Sequence, residues 1–367
     1  MQPFTLLLAG DVMTGRGIDQ ALPGPGDPTL HEALVHDARR YVELAEAAHG
    51  AFARPLEPAA IWGDALAEMD RARPDARIVN LETAVTTSAD WCRGKEVLYR
   101  MHPAHVGCLT AARVDVACLA NNHVLDWGRT GLVETLDSLA RAGIRTAGAG
   151  RDLAAARRPA IVARPGGGRA IVIAIGSTTS GIPAGWRAAA DRPGIDVVDD
   201  LSPAAAADVV ARIAAVKRPG DVAVASIHWG GNWGHDVAEE FVPFAHRLID
   251  GGADVVHGHS SHHVRPIEVH RGRLILYGCG DLVDDYEGIR GYEAFRPDLG
   301  LLFFVTVEPD DGRVRGLRMV PVRMERFRLR RAGAADAAWL AGTLSESSAR
   351  FGCRVVTSDD GELVLRW

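Results

Sequence analysis

Residues 115–128 read DVACLANNHVLDWG. The apolar run from Asp115 to Ala120 reads as a strand, and it leads directly into Asn121, Asn122 and His123, with Asp126 three residues on. Asparagine is depleted in strands and favoured in turns. Two in a row at a strand's end, beside a histidine, bring more polar groups than reversing the chain requires. The stretch predicts a strand followed by a loop that holds something.

The same form recurs on both sides of it. Phe4–Ala9 ends at Gly10-Asp11, Arg77–Asn80 at Leu81-Glu82, Val222–Ile227 at His228-Trp229-Gly230, and Asp254–Gly258 at His259. Short continuous apolar runs suit strands buried on both faces, and Ile171–Ser177 is another. Helical patterns lie between them, over Gly131–Ala142, Pro203–Val216 and Glu239–Ile249. This βα alternation predicts an α/β layered fold. Beyond residue 262, VRPIEVH, RLILYG, LLFFVTVEP and RVRGLRMVPV follow one another without a helix, so an antiparallel run is expected and the sheets are mixed. A helix over Ala334–Ala349 and a strand near Leu363–Leu365 close the chain. Residues 23–58, with one helix over Asp37–Ala48, form an excursion across the mouth of the sheet, a possible lid. With no repeat or linker, residues 1–367 read as a single domain, with 264–367 as its antiparallel strands plus helix.

Composition narrows the function. The 367 residues are 47% hydrophobic and 24% charged, ordinary for a globular protein. A net charge of −6 leaves no polybasic footprint for nucleic acid. The first residues, MQPFTLLLAGD, lack a basic segment before their apolar run, and no run is long enough to span a bilayer. Cys92, Cys108, Cys118, Cys279 and Cys353 are odd in number without a C-x-x-C pair, which reads as reduced thiols. A cytoplasmic protein with no membrane partner is expected.

Collected at the strand ends are Asp11, Glu82, Asn121, Asn122, His123, His228, His259 and His262. Crevices at the carboxyl ends of strands are where α/β sheets bind ligands. Each residue alone has a plain structural reading: a helix cap for Asp11, a turn for the asparagines, a hydrogen-bonded core histidine for His228. All of those readings holding at five successive strand ends is a larger coincidence than one shared site. Carboxylate, amide and imidazole donors together suit one or two divalent ions such as Mn, Fe, Zn, Mg or Ca.

The ordered pieces GDVMTGR (10–16), NLE (80–82), ANNHVLDWG (120–128), HWGGNWG (228–234), GHSSHH (258–263) and YGCGD (277–281) resemble the CapA family of poly-γ-glutamate capsule synthesis. That family is similar to the calcineurin-like metallophosphatases, α/β/β/α sandwiches with a dinuclear metal site. The resemblance implies Asp11, Glu82, Asn122, His228, His259 and His262 as metal ligands and His123 as the acid that serves a leaving group. Three departures stand out: Met13 where metallophosphatases place a histidine, NLE where they have G-D-x-x-D, and a final motif longer by one residue.

Two reactions follow as expectations. The first is metal-dependent epimerisation at Cα of a C-terminal, aromatic residue of a ribosomal peptide, as in CapA-like lasso-peptide epimerases. There His123 with Asp11 or Asp126 would carry the protons, and Arg16, Trp229 and Trp233 would hold the peptide. The alternative is a CapA-like metallohydrolase of a phosphoester or amide, linked to poly-γ-glutamate or capsule metabolism. A third reading, a binding protein that keeps its metal for structure, sits poorly with an oxygen-rich donor set.

Overall fold

The computed structural model describes residues 2–367. The elements that frame the site run β1 (Phe4–Val12), α1 (Arg39–His49), β2 (Ala76–Leu81), β3 (Val116–Cys118), α2 (Gly128–Arg141), β4 (Arg169–Ser177), α3 (Pro203–Val216), β5 (Val222–His228), α4 (Phe241–Asp250), β6 (Val255–His259), β7 (Ile267–His270), β8 (Arg273–Leu276), β9 (Asp281–Val283), β10 (Leu299–Val307), β11 (Val314–Glu325) and α5 (Ala334–Ser348). One sheet contains the order β11-β10-β1-β2-β3, parallel from β1 to β3 and antiparallel beyond β1. The other contains β4-β5-β6-β8-β7, parallel except for the final hairpin.

Side-chain alternation stacks these sheets. Leu6, Leu8, Ile78 and Val116 of the first meet Val172, Val222, Val224 and Val255 of the second in one apolar layer, to which α5 adds Leu340 and Leu344. The alternate residues Leu7, Ala9, Val79 and Ala117 face α1 and α2. Ile173, Ala223, Ala225 and Ile227 face α3 and α4. The result is an α/β/β/α sandwich with mixed sheets. Each leucine held in such a layer contributes roughly 1.5–3 kcal/mol through burial.

Three details depart from the sequence reading. The strand expected over Asp115–Ala120 pairs only through Val116–Cys118, and the chain turns after Leu119, whose carbonyl accepts from Asn121 N (2.9 Å). The tail beyond residue 262 is not purely antiparallel: β8 joins β6 in parallel, and three-residue β9 joins β1 in parallel. A strand that short carries too little pattern to be read. The 23–58 excursion has its helix at Arg39–His49, and it is anchored by Asp19, which accepts from Gly26 N (3.0 Å) and His102 N (2.7 Å) and pairs with His105 Nδ1 (2.6 Å). No helix among the described residues is long and apolar enough to cross a membrane.

Candidate metal centre

The parity of the strands decides which groups meet. Along β5, Val222 and Val224 face the other sheet, so Ser226 and His228 do too. Along β6 the inward series is Val255, His257, His259. On β1 the series Leu6, Leu8 would continue to position 10 and leave Asp11 facing the helices. Instead Ala9 pairs with Val79 while Asp11 pairs with Asn80, so Gly10 is an extra residue in the ladder. This bulge turns Asp11 inward, the use to which bulges are put beside functional sites. Glycine is required there, because a Cβ at position 10 would lie 1.7 Å from Gly280 O. That close approach brings β9 alongside, where Asp11 N donates to Gly280 O (3.0 Å) and Asp281 pairs with Asp11.

Around Asp11 the groups form two clusters that share its carboxylate. Asp11, His228 and His259 offer ligand atoms all within 4.8 Å of one another, and so do Asp11, His262 and Asp281. Nδ1 of His228 lies 2.8 Å from Nδ1 of His259, and Nε2 of His228 lies 3.0 Å from Asn122 Oδ1. Glu82 sits between the clusters and the loop: Oε2 is 3.8 Å from His228 Nδ1, and Oε1 is 3.8 Å from His123 Nε2. Asn80 Nδ2 donates to Asp11 Oδ1 (2.7 Å) and Glu82 Oε2 (2.9 Å), fixing both carboxylates. His262 Nδ1 is 2.9 Å from Asp281 Oδ1.

The electrostatics show what this set lacks. Burial lifts the Asp11 carboxyl to about 7, and Asp281 adds to the rise. Glu82 is pushed well above its ordinary range by burial and by Asp11, and burial raises Asp281 and Asp284 as well. Burial holds His228 and His259 well below the usual histidine range, so both present neutral imidazoles. Asp281 Oδ2 is buried with no hydrogen-bond partner. Crowded carboxylates short of positive charge, facing neutral imidazole lone pairs, form a donor set that divalent cations satisfy. The residues fit such ions.

The loop after β3 places His123 beside the clusters. Asn121 secures the turn: its Oδ1 accepts from His123 N (3.1 Å) and Val124 N (3.0 Å), and its Nδ2 donates to Asn80 Oδ1 (3.0 Å) and Leu81 O (2.8 Å). His123 Nδ1 is 2.6 Å from Asp126 Oδ2 and 2.9 Å from Lys95 Nζ, so Nε2 is the nitrogen turned to the site. Lys95 also contacts Asp126 Oδ1 and the Asn122 carbonyl. Burial, with the Lys95 charge beside it, brings His123 down to about 4. A cavity of about 550 Å³ opens against His262 and Asp284, walled by Tyr99, Tyr286, Trp233 and Tyr292.

Residues 5–286 match the family model of the bacterial capsule synthesis protein PGA_cap. The chain belongs to that family. A relative named "Probable polyglutamine synthesis accessory protein", from Mycobacterium tuberculosis, is 50% identical over 360 residues, 98% of this chain and 95% of the relative. The PGA biosynthesis protein CapA of Bacillus subtilis is 29% identical over 207 residues, 56% of this chain and 52% of that protein. The capsule biosynthesis protein CapA of Bacillus anthracis is 28% identical over 185 residues, 49% and 42% of the two chains. The CapA-like resemblance and the metallophosphatase-like fold therefore stand.

Within this PGA_cap chain, Asp11, Glu82, Asn122, His228, His259 and His262 converge, with His123 and Asp126 beside them. Other expected roles are corrected. Trp229 is no substrate wall: it is fully buried, stacked between Phe241 and Tyr277 (4.6 and 6.0 Å between centroids), with Nε1 donating to Tyr277 O. Arg16 is not free to clamp a substrate, because its fork already holds Asp285 (Nη2–Oδ1 2.5 Å) and Glu32 (3.3 Å). Trp233 does stand at the cavity, stacked 4.0 Å from Tyr292. Of the clustered histidines, His257 ties the sheets together by bonding Ala9 O (2.9 Å), and His263 bonds Val264 O (3.0 Å). Asp11 belongs to both donor clusters.

Sequence reasoning missed Asp281, Asn80 and Lys95. Asp281 ends the quoted YGCGD and Asn80 begins NLE, so both carried a signal. Lys95 lies in a polar stretch, RGKEV, that gives none.

Proposed function

We propose that this chain is a divalent-metal-dependent hydrolase serving the synthesis of a glutamate or glutamine polymer, cleaving an amide or phosphoester bond. The observation that carries the reading is the pair of donor clusters sharing Asp11, with His123 Nε2 facing them across Glu82. The family and the polymer-synthesis names of the relatives support the substrate class.

Asp11, Glu82, Asn122, His228 and His259 would hold one ion, and Asp11, His262 and Asp281 a second. Such ions supply Lewis acidity toward a substrate oxygen and lower the pKa of bound water. The chain's own residues do the rest. Asn80 keeps Asp11 and Glu82 in place. Asp126 and Lys95 fix His123 through Nδ1, and Nε2, when the ring is protonated, would pass a proton to the departing amine or alkoxide. Tyr99 packs edge-on against the His123 ring (4.5 Å between centroids) and limits its rotation.

The hydrolase alternative is better supported than the epimerase reading. Epimerisation needs an acid and a base on opposite faces of one carbon. Here Asp11 is committed to the clusters, and Asp126 has Oδ1 on Lys95 and Oδ2 on Tyr99 N (2.7 Å) and His123. The test is to offer the manganese-loaded protein an oligo-γ-glutamate, a glutamine oligomer and a generic phosphodiester, and to follow products by mass spectrometry. Cleavage of one of them, abolished by chelation and in His228→Ala, is expected. Metal-dependent deuterium uptake at Cα without cleavage would overturn the reading in favour of epimerisation.

A further inference from the structure

On the outer face of the second sheet, away from Asp11, a second group of donors meets between α4 and the edge strand β7. His246, Glu268 and His270 offer ligand atoms all within 4.8 Å of one another. His246 Nε2 is 2.7 Å from Glu268 Oε1, and His270 Nε2 is 3.0 Å from Asp250 Oδ1. Helix and strand periodicities both serve the arrangement. His246 and Asp250 are four apart on α4, and Glu268 and His270 two apart on β7, so each pair shares a face.

We propose that His246, Glu268 and His270, with Asp250 as a fourth donor, bind a zinc ion that staples α4 to the edge of the second sheet. The two rings stack in parallel, with centroids 3.7 Å apart. Each ring also contacts a carboxylate, His246 reaching Glu268 and His270 reaching Asp250. One divalent ion would take a nitrogen from each ring and an oxygen from each carboxylate.

Two imidazoles and carboxylate oxygens are a zinc donor set, with bonds of about 2.0–2.2 Å that place donors about 3.4 Å apart. The imidazoles are 29% and 18% exposed, enough freedom to close from 4.8 Å. Glu268 is oriented from behind, Tyr277 Oη donating to its Oε2 (2.7 Å), the kind of outer partner that fixes a ligand. Arg271 Nη1, 3.2 Å from Asp250 Oδ1, is exposed and free to swing away.

The test uses the full chain with both central clusters emptied, Asp11→Asn/His228→Ala/His262→Ala, so that it does not depend on the proposed activity. After dialysis against limiting zinc, elemental analysis and the visible spectrum of a cobalt substitute are read. Retention of about one ion per chain is expected, lost when His246→Ala and His270→Ala are added, and weakened about tenfold by Tyr277→Phe. Circular dichroism confirms that the variants are folded. If the central variant should misfold, the wild-type chain is compared with His246→Ala/His270→Ala, which should hold one zinc fewer. Equal zinc content with and without His246 and His270 overturns the proposal.

Discussion

Nδ1 of His228 and Nδ1 of His259 face each other at 2.8 Å from directly paired positions of two parallel strands. Backbone pairing sets this spacing before any ligand arrives, and burial keeps both rings neutral. A preformed pair of nitrogen donors follows from the register alone. Replacing either ring by alanine should weaken binding at the first cluster by more than the 10–100-fold typical of an outer partner. Isothermal titration with manganese checks this, and unchanged affinity in both variants would remove the first cluster from the centre.

The metal-free protein should be less stable at pH 8 than at pH 6.5. Asp11, raised from the ordinary 3.8 to about 7, binds its proton more tightly folded than unfolded. Its stabilisation is full at low pH and is lost as pH rises through 7. Glu82, Asp281 and Asp284 shift the same way. His228 and His259 are lowered, so below about 6.5 the unfolded chain takes up protons the folded one refuses, and stability falls again. Melting scans in chelator should show the fall above pH 6.5, and saturating manganese should abolish it. A metal-free melting temperature that rises from pH 6.5 to 8 contradicts the carboxylate assignment.

Lys95→Met should raise the pKa of His123, since the Lys95 charge is, after burial, the main influence depressing it. The alkaline limb of the pH–rate profile, set by loss of the His123 proton, should shift upward while metal content stays unchanged. A lower rate with an unmoved profile would make Lys95 a packing residue only.

Gly10→Ala should disrupt the bulge that aims Asp11. The added methyl meets the Gly280 backbone at 1.7 Å, a contact that cannot be relieved by rotating a side chain. A loss of about 1–3 kcal/mol, the usual scale of overpacking, is expected in denaturant titration, together with weakened metal binding. Retention of wild-type stability would show that β9 can move aside.

The alternation of strands and helices, and the polar groups at each strand's end, were legible because buried parallel strands write continuous apolar runs. Asp11, Glu82, Asn122, His228 and His259 could be collected from that pattern alone. What the pattern hides is side-chain direction. Trp229 follows His228 directly, yet successive strand residues point to opposite faces, so one enters the site and the other the core. Arg16 has its partners in Glu32 and Asp285, the latter 269 residues away, beyond any local signal. Asp281 reaches the site through β9, a three-residue strand placed by the Gly10–Gly280 contact.

The central claim is that Asp11 serves two ions at once, and the metal content of three variants tests it most directly. Elemental analysis of manganese-loaded wild type, Asp11→Asn, His228→Ala and His262→Ala should give two ions per chain in the first, a loss of both in Asp11→Asn, and a loss of one in each histidine variant. Asp11→Asn retaining the content of the wild type, or His228→Ala and His262→Ala emptying the site completely, would contradict a centre built around a shared carboxylate.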